Sequence, residues 1–484
     1  MSTNRCNQLH RITTFILTSV SVIVSILCVN KAECAEKPSV LNIILILADD
    51  LGYAELGCYG QKKIRTPHLD RMAAQGIRFT HHYAGAPVCA PSRCCLMTGK
   101  HGGHAWIRDN REVKPEGQSP LPENEITVAQ LLQKQGYVTA AVGKWGLGPP
   151  GTEGDPLKHG FDFFFGYNCQ RHAHSHYPTY LWRNDKRMEL EGNDGKTGKQ
   201  YSHDLLEAEA LRYIREHKDR PFFLYVPFTV PHVAIQVPDD ALAEYKGKWD
   251  DPAYDGKKGY LPHPAPRAGY AAMVSRMDRS VGRILDLLKE LGLDGQTLVL
   301  FSSDNGPTHD GVGGSDSIFF ESAGPFRGLK GSVYEGGIRV PLIARWPGKI
   351  KPGGVSELPC YFPDVLPTLL ELAGGTTMPK DIDGVSLVPT LMGQPDKQAK
   401  RDYLFWEFAG YGGQQAVRLG DWKGVRQGLH KGNTKIELYH LKDDPGETRD
   451  VAAKQPEIVA RIEKIFRAGR TPSKLFPIKP LDER

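Results

Sequence analysis

Two short acidic clusters are the first places in this sequence where side chains could do chemistry. Asp49 and Asp50 close an uninterrupted, largely aliphatic run from Asn42 to Ala48, and Asp304 and Asn305 follow a second run, Thr297 to Phe301, after two serines. Such runs suit strands buried on both faces of a parallel sheet. In open sheets of that kind, ligands bind beyond the carboxyl ends of the strands. Either pair alone could cap a helix or shape a turn; two pairs at the ends of two core strands point to one shared site. Cysteines offer a nucleophile. Of nine, Cys6, Cys28 and Cys34 fall in or beside an N-terminal apolar segment, leaving Cys58, Cys89, Cys94, Cys95, Cys169 and Cys360. Their spacing shows neither a disulfide framework nor a C-x-x-C pair, and the adjacent Cys94 and Cys95 are ill placed to bond each other. At least one therefore has another task, although a lone cysteine before a turn also reads as a small core residue. His172, His174 and His176 alternate within Asn168 to Tyr177, so on a strand they would share one face, as metal ligands do.

The elements that must position these groups alternate between strand and helix. Helical patterns cover Val128 to Gln135, closed by Gly136, then Leu205 to His217, and Met273 to Leu291. In the last, Met273, Met277, Val281, Ile284, Leu288 and Leu291 recur at spacings of four and three. The alternation predicts an α/β domain: a large mixed, mainly parallel sheet sandwiched by helices, over residues 36–394. Beyond about residue 395, short aromatic-rich strands (Asp402 to Phe408, Gln415 to Leu419, Ile436 to Leu441) and a helix near Glu457 to Ala468 predict a smaller C-terminal α+β subdomain, residues 395–484. Asp239 to Ala268, rich in Pro, Gly, Asp and Tyr, reads as a long surface insertion.

Cys89-Ala90-Pro91-Ser92-Arg93, followed by Leu96, Thr98 and Gly99, resembles the type I sulfatase family of the alkaline phosphatase superfamily, whose C-x-P-S-R signature with T-G shortly after is matched at every position. The resemblance runs from about residue 41 to 450. It implies that a maturation enzyme recognising Cys, Pro and Arg oxidises Cys89 to formylglycine. An aldehyde hydrate offers two hydroxyls on one carbon, so one can attack sulfur and the other expel sulfate, whereas serine or cysteine would be left holding a stable adduct. By the same resemblance Asp49, Asp50, Asp304 and Asn305, with the modified Cys89, bind calcium. Oxygen donors suit calcium or magnesium better than zinc. Arg93, Lys144 in Val142-Gly143-Lys144-Trp145, and Lys330 in Gly328-Leu329-Lys330-Gly331 match the family's sulfate-holding cations. His232 matches a histidine that protonates the leaving alcohol, a transfer suited to imidazole at neutral pH.

One position departs from the pattern. The family commonly continues Lys-Trp-His, while this chain has Lys144-Trp145-Gly146. The missing histidine contacts formylglycine and assists the second step, so His101, His104, His172, His174 and His176 are candidates to replace it; alternatively the metal-bound hydrate loses its proton to water. His104, Arg108, Asp109, Asn110, His172 and His174 are expected to bind substrate hydroxyls or sulfate from the loops.

The bulk composition agrees with an extracytoplasmic hydrolase. With 40% hydrophobic and 24% charged residues, the chain is neither disordered nor a multi-span membrane protein. Arg5 and Arg11, the apolar run Ile12 to Val29, and small residues through Ala35 read as a signal peptide over residues 1–35, with an uncleaved anchor as the rival. That segment holds three basic residues and one acidic, so its removal takes the net charge from +5 to +3, too weak to imply nucleic acid. The reading implied is a secreted or periplasmic sulfatase acting on sulfated carbohydrate, without a stable membrane span once the leader is cleaved. The alternatives are a phosphate or phosphonate monoester hydrolase of the same superfamily, whose members usually hold transition metals through several histidines, and an inactive binder of sulfated glycans.

Overall fold

Asn42–Ala48 forms the expected strand, and its side chains alternate between two cores. Ile44, Ile46 and Ala48 enter one, which receives Met273, Met277, Val281, Ile284 and Leu288 from the long helix Pro266–Glu290. Ile43, Leu45 and Leu47 enter the other, among Cys94, Cys95, Val128, Leu132 and Leu366. Burial on both faces is why the run is continuously apolar rather than alternating. The structure, a computed structural model, describes residues 41–114 and 117–483, so the expected leader lies outside the described residues.

This strand sits near the centre of a ten-stranded sheet. Thr297–Ser303 lies on one side of it and Phe222–Pro227 on the other; Val138–Lys144 and Phe163–Tyr167 follow the latter, and all five strands run parallel. The edges turn antiparallel. Tyr180–Arg183 and Lys186–Glu189 form a hairpin on one edge, and Leu342–Arg345 pairs antiparallel with both Thr297–Ser303 and Ile77–Phe79 on the other. Helices cover both faces, so the α/β class and the mainly parallel sheet expected from the sequence are what the chain adopts. Register matters most at one point: Ala48 pairs with Ser303, which brings Asp49 and Asp50 alongside Asp304 at the carboxyl end of the sheet.

Helices also lie near their expected positions, at Val128–Lys134, Ser202–Glu216 and Pro266–Glu290. The last begins before the apolar stripe does, because Pro266 at its first turn has no N–H to leave unpaired. The insertion expected from Asp239 to Ala268 is correspondingly shorter and contains the helical turn Asp239–Leu242. The alternating histidines lie in a loop: His172–His174 is a 3-10 turn, so those rings do not share a strand face.

The C-terminal sheet is antiparallel, with strands Leu404–Phe408, Gln414–Leu419, Trp422–Gln427 and Glu437–His440 in sequence order. Sequence reading missed Trp422–Gln427, whose Lys423, Gly424 and Arg426 lack a strand signature; Lys423 is buried only because it pairs with Glu335 and Glu447. One face of this sheet receives Ile462 and Phe466 of helix Pro456–Ala468. The other packs Leu404, Trp406 and Phe408 against Tyr83, Val88, Val333, Tyr334 and Tyr361, directly behind the segments that carry Cys89 and Lys330. The six cysteines among the described residues are all free thiols. Among the described residues no helix is long and apolar enough to cross a membrane.

Trp406 is fully buried and donates its indole N–H to the Ala84 carbonyl at 2.9 Å, tying the C-terminal sheet to the segment that leads into Cys89. Trp406→Ala is expected to lower unfolding free energy by about 3–5 kcal/mol, measured by urea denaturation, through lost area and an unpaired carbonyl.

Candidate active site

Cys89 opens a wholly buried ten-residue helix, Cys89–Thr98. Pro91 fits within its first turn, where helical N–H groups have no partner anyway. The Asn110 side chain accepts from the Ala90 N–H at 3.0 Å, and the Ser92 hydroxyl accepts from Gly85 N–H at 3.1 Å, so both ends of the entry are pinned. Gly99 closes the helix in the left-handed conformation, with φ 72°. Residue 89 thus stands at a helix N-terminus, which favours negative charge.

The acidic pairs converge on it. The Cys89 thiol lies 3.5 Å from Asp49 Oδ1 and 3.6 Å from Lys330 Nζ. Asp50 adopts a left-handed φ of 62°, held by its N–H donating to Asp304 Oδ1 at 3.1 Å, and its carboxylate accepts from Asn305 Nδ2 at 2.7 Å and Thr308 Oγ1 at 2.6 Å. Cations complete the cluster. Lys144 Nζ reaches Asp49 Oδ2 at 2.6 Å, Lys330 Nζ reaches Asp50 Oδ1 at 2.8 Å, and Arg93 donates twice to Asp304 Oδ2, at 3.1 and 2.7 Å. Arg93 Nη1 also donates to the Lys144 carbonyl at 2.6 Å. Arg93 is therefore engaged on the protein rather than presented free to an anion.

Burial and charge set the protonation states. Burial alone would raise Asp49, but Lys144, His232, Arg93 and Lys330 hold its carboxyl well below the usual range. Asp304 goes the other way: burial and the neighbouring Asp49 push it up to about 6 against the pull of Arg93. Burial pushes the Cys89 thiol up to about 12 despite Lys144 and Lys330. A bare cysteine here stays a thiol at neutral pH, and the thiol is not the nucleophilic form. His232 is driven down to about 4 by burial and then Lys330, so it is neutral. Its Nδ1–H donates to the Val233 carbonyl, which leaves Nε2 to accept from Lys330 Nζ at 3.1 Å.

The donor set fits a hard divalent cation. Asp49, Asp50, Cys89 and His232 have ligand atoms within 4.8 Å of one another, and Asn305 Oδ1 is buried without a hydrogen-bond partner, beside the Asp50 carboxylate that Asn305 Nδ2 contacts. An oxygen left unpaired in a charged pocket is costly unless something electropositive meets it.

The residues expected to bind substrate separate. His174 is at the site, its ring stacked on His232 at 4.6 Å. His172 instead stacks on Tyr180 at 4.2 Å, toward the edge hairpin, which corrects its assignment. His104 is also corrected: it pairs with Asp383 at 2.9 Å and stacks on His101, beyond the far end of the Cys89 helix. Arg108 is buried against Glu407 at 2.7 Å and the Thr471 carbonyl at 2.8 Å, which makes it a tie to the C-terminal region rather than a substrate contact. Asn110 holds the helix start, as above. His176 donates from Nε2 to the His232 carbonyl at 2.9 Å and so fixes that loop.

No histidine occupies the space that a side chain at position 146 would fill. Gly146 has φ 76°, and a Cβ there would lie 2.3 Å from Gln170 Nε2 and 3.8 Å from Arg93 Cδ. The Gln170 carboxamide fills that space, buried and with no protein partner on either amide atom; neighbouring Asn168 is the same. Sequence reading missed Gln170 and Thr308, because a glutamine or threonine in a loop carries no signal until the chain folds over it.

The class of protein follows from fold, site and relatives together. The sulfatase family model matches residues 41–375, and a second, for the C-terminal part of N-sulphoglucosamine sulphohydrolase, matches residues 329–468. The chain belongs to the sulfatase family and is a sulfuric ester hydrolase. It is 33% identical to human N-acetylgalactosamine-6-sulfatase, covering 92% of this chain and 88% of that protein. Mouse steryl-sulfatase is 32% identical, over 81% of this chain and 71% of its own length. Among solved structures, Ps i-CgsB in complex with k-i-k-neocarrahexaose superimposes with a TM-score of 0.74 at 28% identity, covering 89% of this chain and 94% of that one.

Gly146→His is expected to lower unfolding free energy by about 1–3 kcal/mol through its left-handed backbone alone, and more through the Gln170 clash. In thermal melts, adding Gln170→Ala should recover only the part due to the clash; full recovery would show that the backbone position is not strained.

Proposed function

We propose that the protein is a secreted sulfatase that removes sulfate from carbohydrate monoesters, with Cys89 matured to formylglycine and a calcium ion, or magnesium in its place, held by Asp49, Asp50, Asp304 and Asn305. When present, the formylglycine hydrate and the cation supply a geminal diol nucleophile and a charge that polarises sulfate oxygens. The observation that carries the reading is the position of residue 89: at a helix N-terminus, within 3.6 Å of both Asp49 and Lys330, as a thiol too weakly acidic to react unmodified. Lys144 and Lys330 are the ammonium groups nearest that position, and they bind and orient an anionic ester. Arg93 acts through Asp304, keeping that carboxylate aimed at the cation site. Lys330 Nζ and His232 Nε2 share a hydrogen bond, so a proton given to the departing alcohol oxygen can come from this pair.

Carbohydrate is favoured over steroid by the polar character of the site's surroundings, where His174 and His309 stand near Lys330. Two of the relatives above, the N-acetylgalactosamine-6-sulfatase and the Ps i-CgsB complex with k-i-k-neocarrahexaose, carry sugars in their names. The apolar leader and the maturation that formylglycine requires support export with a dedicated maturation enzyme as partner.

Protein co-produced with a maturation enzyme is expected to show formylglycine at residue 89 by peptide mass and to prefer 4-nitrophenyl sulfate over the phosphate. Cys89→Ala should lose turnover by about a thousandfold or more; equal turnover, or a preference for phosphate, would overturn the reading. Asp50→Asn should abolish the rise in melting temperature that calcium gives the parent protein, a result independent of turnover.

A further inference from the structure

Two tyrosines border the charge cluster without belonging to it. Tyr411 is 63% exposed and Tyr260 37%, and both hold left-handed backbone, φ 47° and 63°. A side chain with a Cβ adopts that conformation at a cost, and such positions persist where surrounding structure imposes them, often at ligand sites. Here the surroundings are specific. The Tyr260 ring lies 5.2 Å from His174 and 6.0 Å from His232, edge to face with the latter. The Tyr411 ring meets His309 edge-on at 5.8 Å and lies against Gly331, where a Cβ would be 2.1 Å from a ring carbon. Residue 331 must be glycine for that ring to rest beside Lys330. The segment after Asn305 joins the two tyrosines, since His309 touches Tyr411 and the Cβ position of Gly313 is 3.2 Å from Tyr260 Cδ2. Both rings border Lys330: its Nζ bonds His232 at 3.1 Å, which the Tyr260 ring meets edge to face, and the Tyr411 ring rests on the adjoining Gly331.

We propose that Tyr260 and Tyr411 form an aromatic subsite that receives pyranose rings of a sulfated oligosaccharide, one on each side of residues 309–313, while the ester enters toward Lys330. The proposal rests on the carbohydrate reading above and deepens it. A pyranose has an apolar C–H face that matches the electron-rich face of a phenol ring, and hydroxyl edges that need polar partners. Both are provided: the rings are exposed, and the segment they touch carries His309, which meets Tyr411, and Gly311, whose Cβ position is 2.9 Å from Lys258 Nζ. A steroid or flat aryl group would find the stacking faces but would strand those polar groups. Neither tyrosine lies in a motif, and they come from separate regions, the insertion before the long helix and the turn between the first two strands of the C-terminal sheet.

The test measures binding to Cys89→Ala protein, which holds substrate without turnover, by calorimetry. Its probes are a sulfated galactan hexasaccharide, the desulfated hexasaccharide and 4-nitrophenyl sulfate. Tyr260→Ala and Tyr411→Ala are each expected to weaken sulfated hexasaccharide binding about tenfold, with a smaller change for 4-nitrophenyl sulfate. Tyr→Phe at either position should bind within about twofold of the parent, because the ring face and not the hydroxyl makes the contact. Thermal melts establish that each variant is folded. Hexasaccharide binding that is absent in the parent, unchanged in both alanine variants, or lost equally in the phenylalanine variants would overturn the proposal. Equal loss for 4-nitrophenyl sulfate would overturn its assignment to sugars. Ring-dependent hexasaccharide binding in a protein that hydrolyses no sulfate ester would leave the subsite standing and remove the sulfatase reading instead.

Discussion

Asp49, Asp50 and Asp304 are fully buried, and so is the cost of their charge unless each is met by a partner of opposite sign. Lys144, Lys330 and Arg93 meet them one to one. Removing a member would leave an uncompensated charge among buried groups, so each of the six side chains depends on its partner. Their balance also explains how the site can take an anion. A divalent cation held by a cluster already neutral would leave it net positive, which would favour a sulfate ester.

Everything around the cluster serves to keep these side chains from relaxing apart. The register of Ala48 with Ser303 sets the distance between the acidic pairs, and a shift of one residue would send one of them to the opposite face. Lys144 ends a strand two positions across the sheet, close enough to reach Asp49 because the strands between them are parallel and end together. The Cys89 helix enters from one face, and the C-terminal sheet backs the segments on either side of it through Trp406 and Tyr83. A site assembled from rigid ends tolerates a strained backbone at Asp50, since its amide and carboxylate are both held.

Gly146 illustrates how one changed residue is absorbed. In a chain that resembles the sulfatases so fully, a glycine where a histidine is usual reads as a gap. The folded chain has no gap there, because Gln170 occupies the volume. Arg108 and Asn110 teach a related lesson: polar residues near a motif were expected to face substrate, yet both are consumed in fixing the helix and the C-terminal region.

Sequence by itself determined the parts of this protein whose physics is local or repeated. Continuous aliphatic runs announce strands buried on two faces, stripes at three and four residues announce the helices, and a dense run of matched residues around Cys89 announces the sulfatase family, because each of these signals lies within one stretch of chain. Tertiary structure alone decided which polar side chains share a space. That Gln170 stands over Gly146, that Thr308 joins Asp50, that His104 turns to Asp383 while His174 stacks on His232, and that two tyrosines some 150 positions apart both touch the segment after Asn305 all depend on long-range contacts between loops. Loop positions carry no periodicity, and the hydrogen bonds and ring contacts that settle them exist only once the sheet has brought the strand ends together.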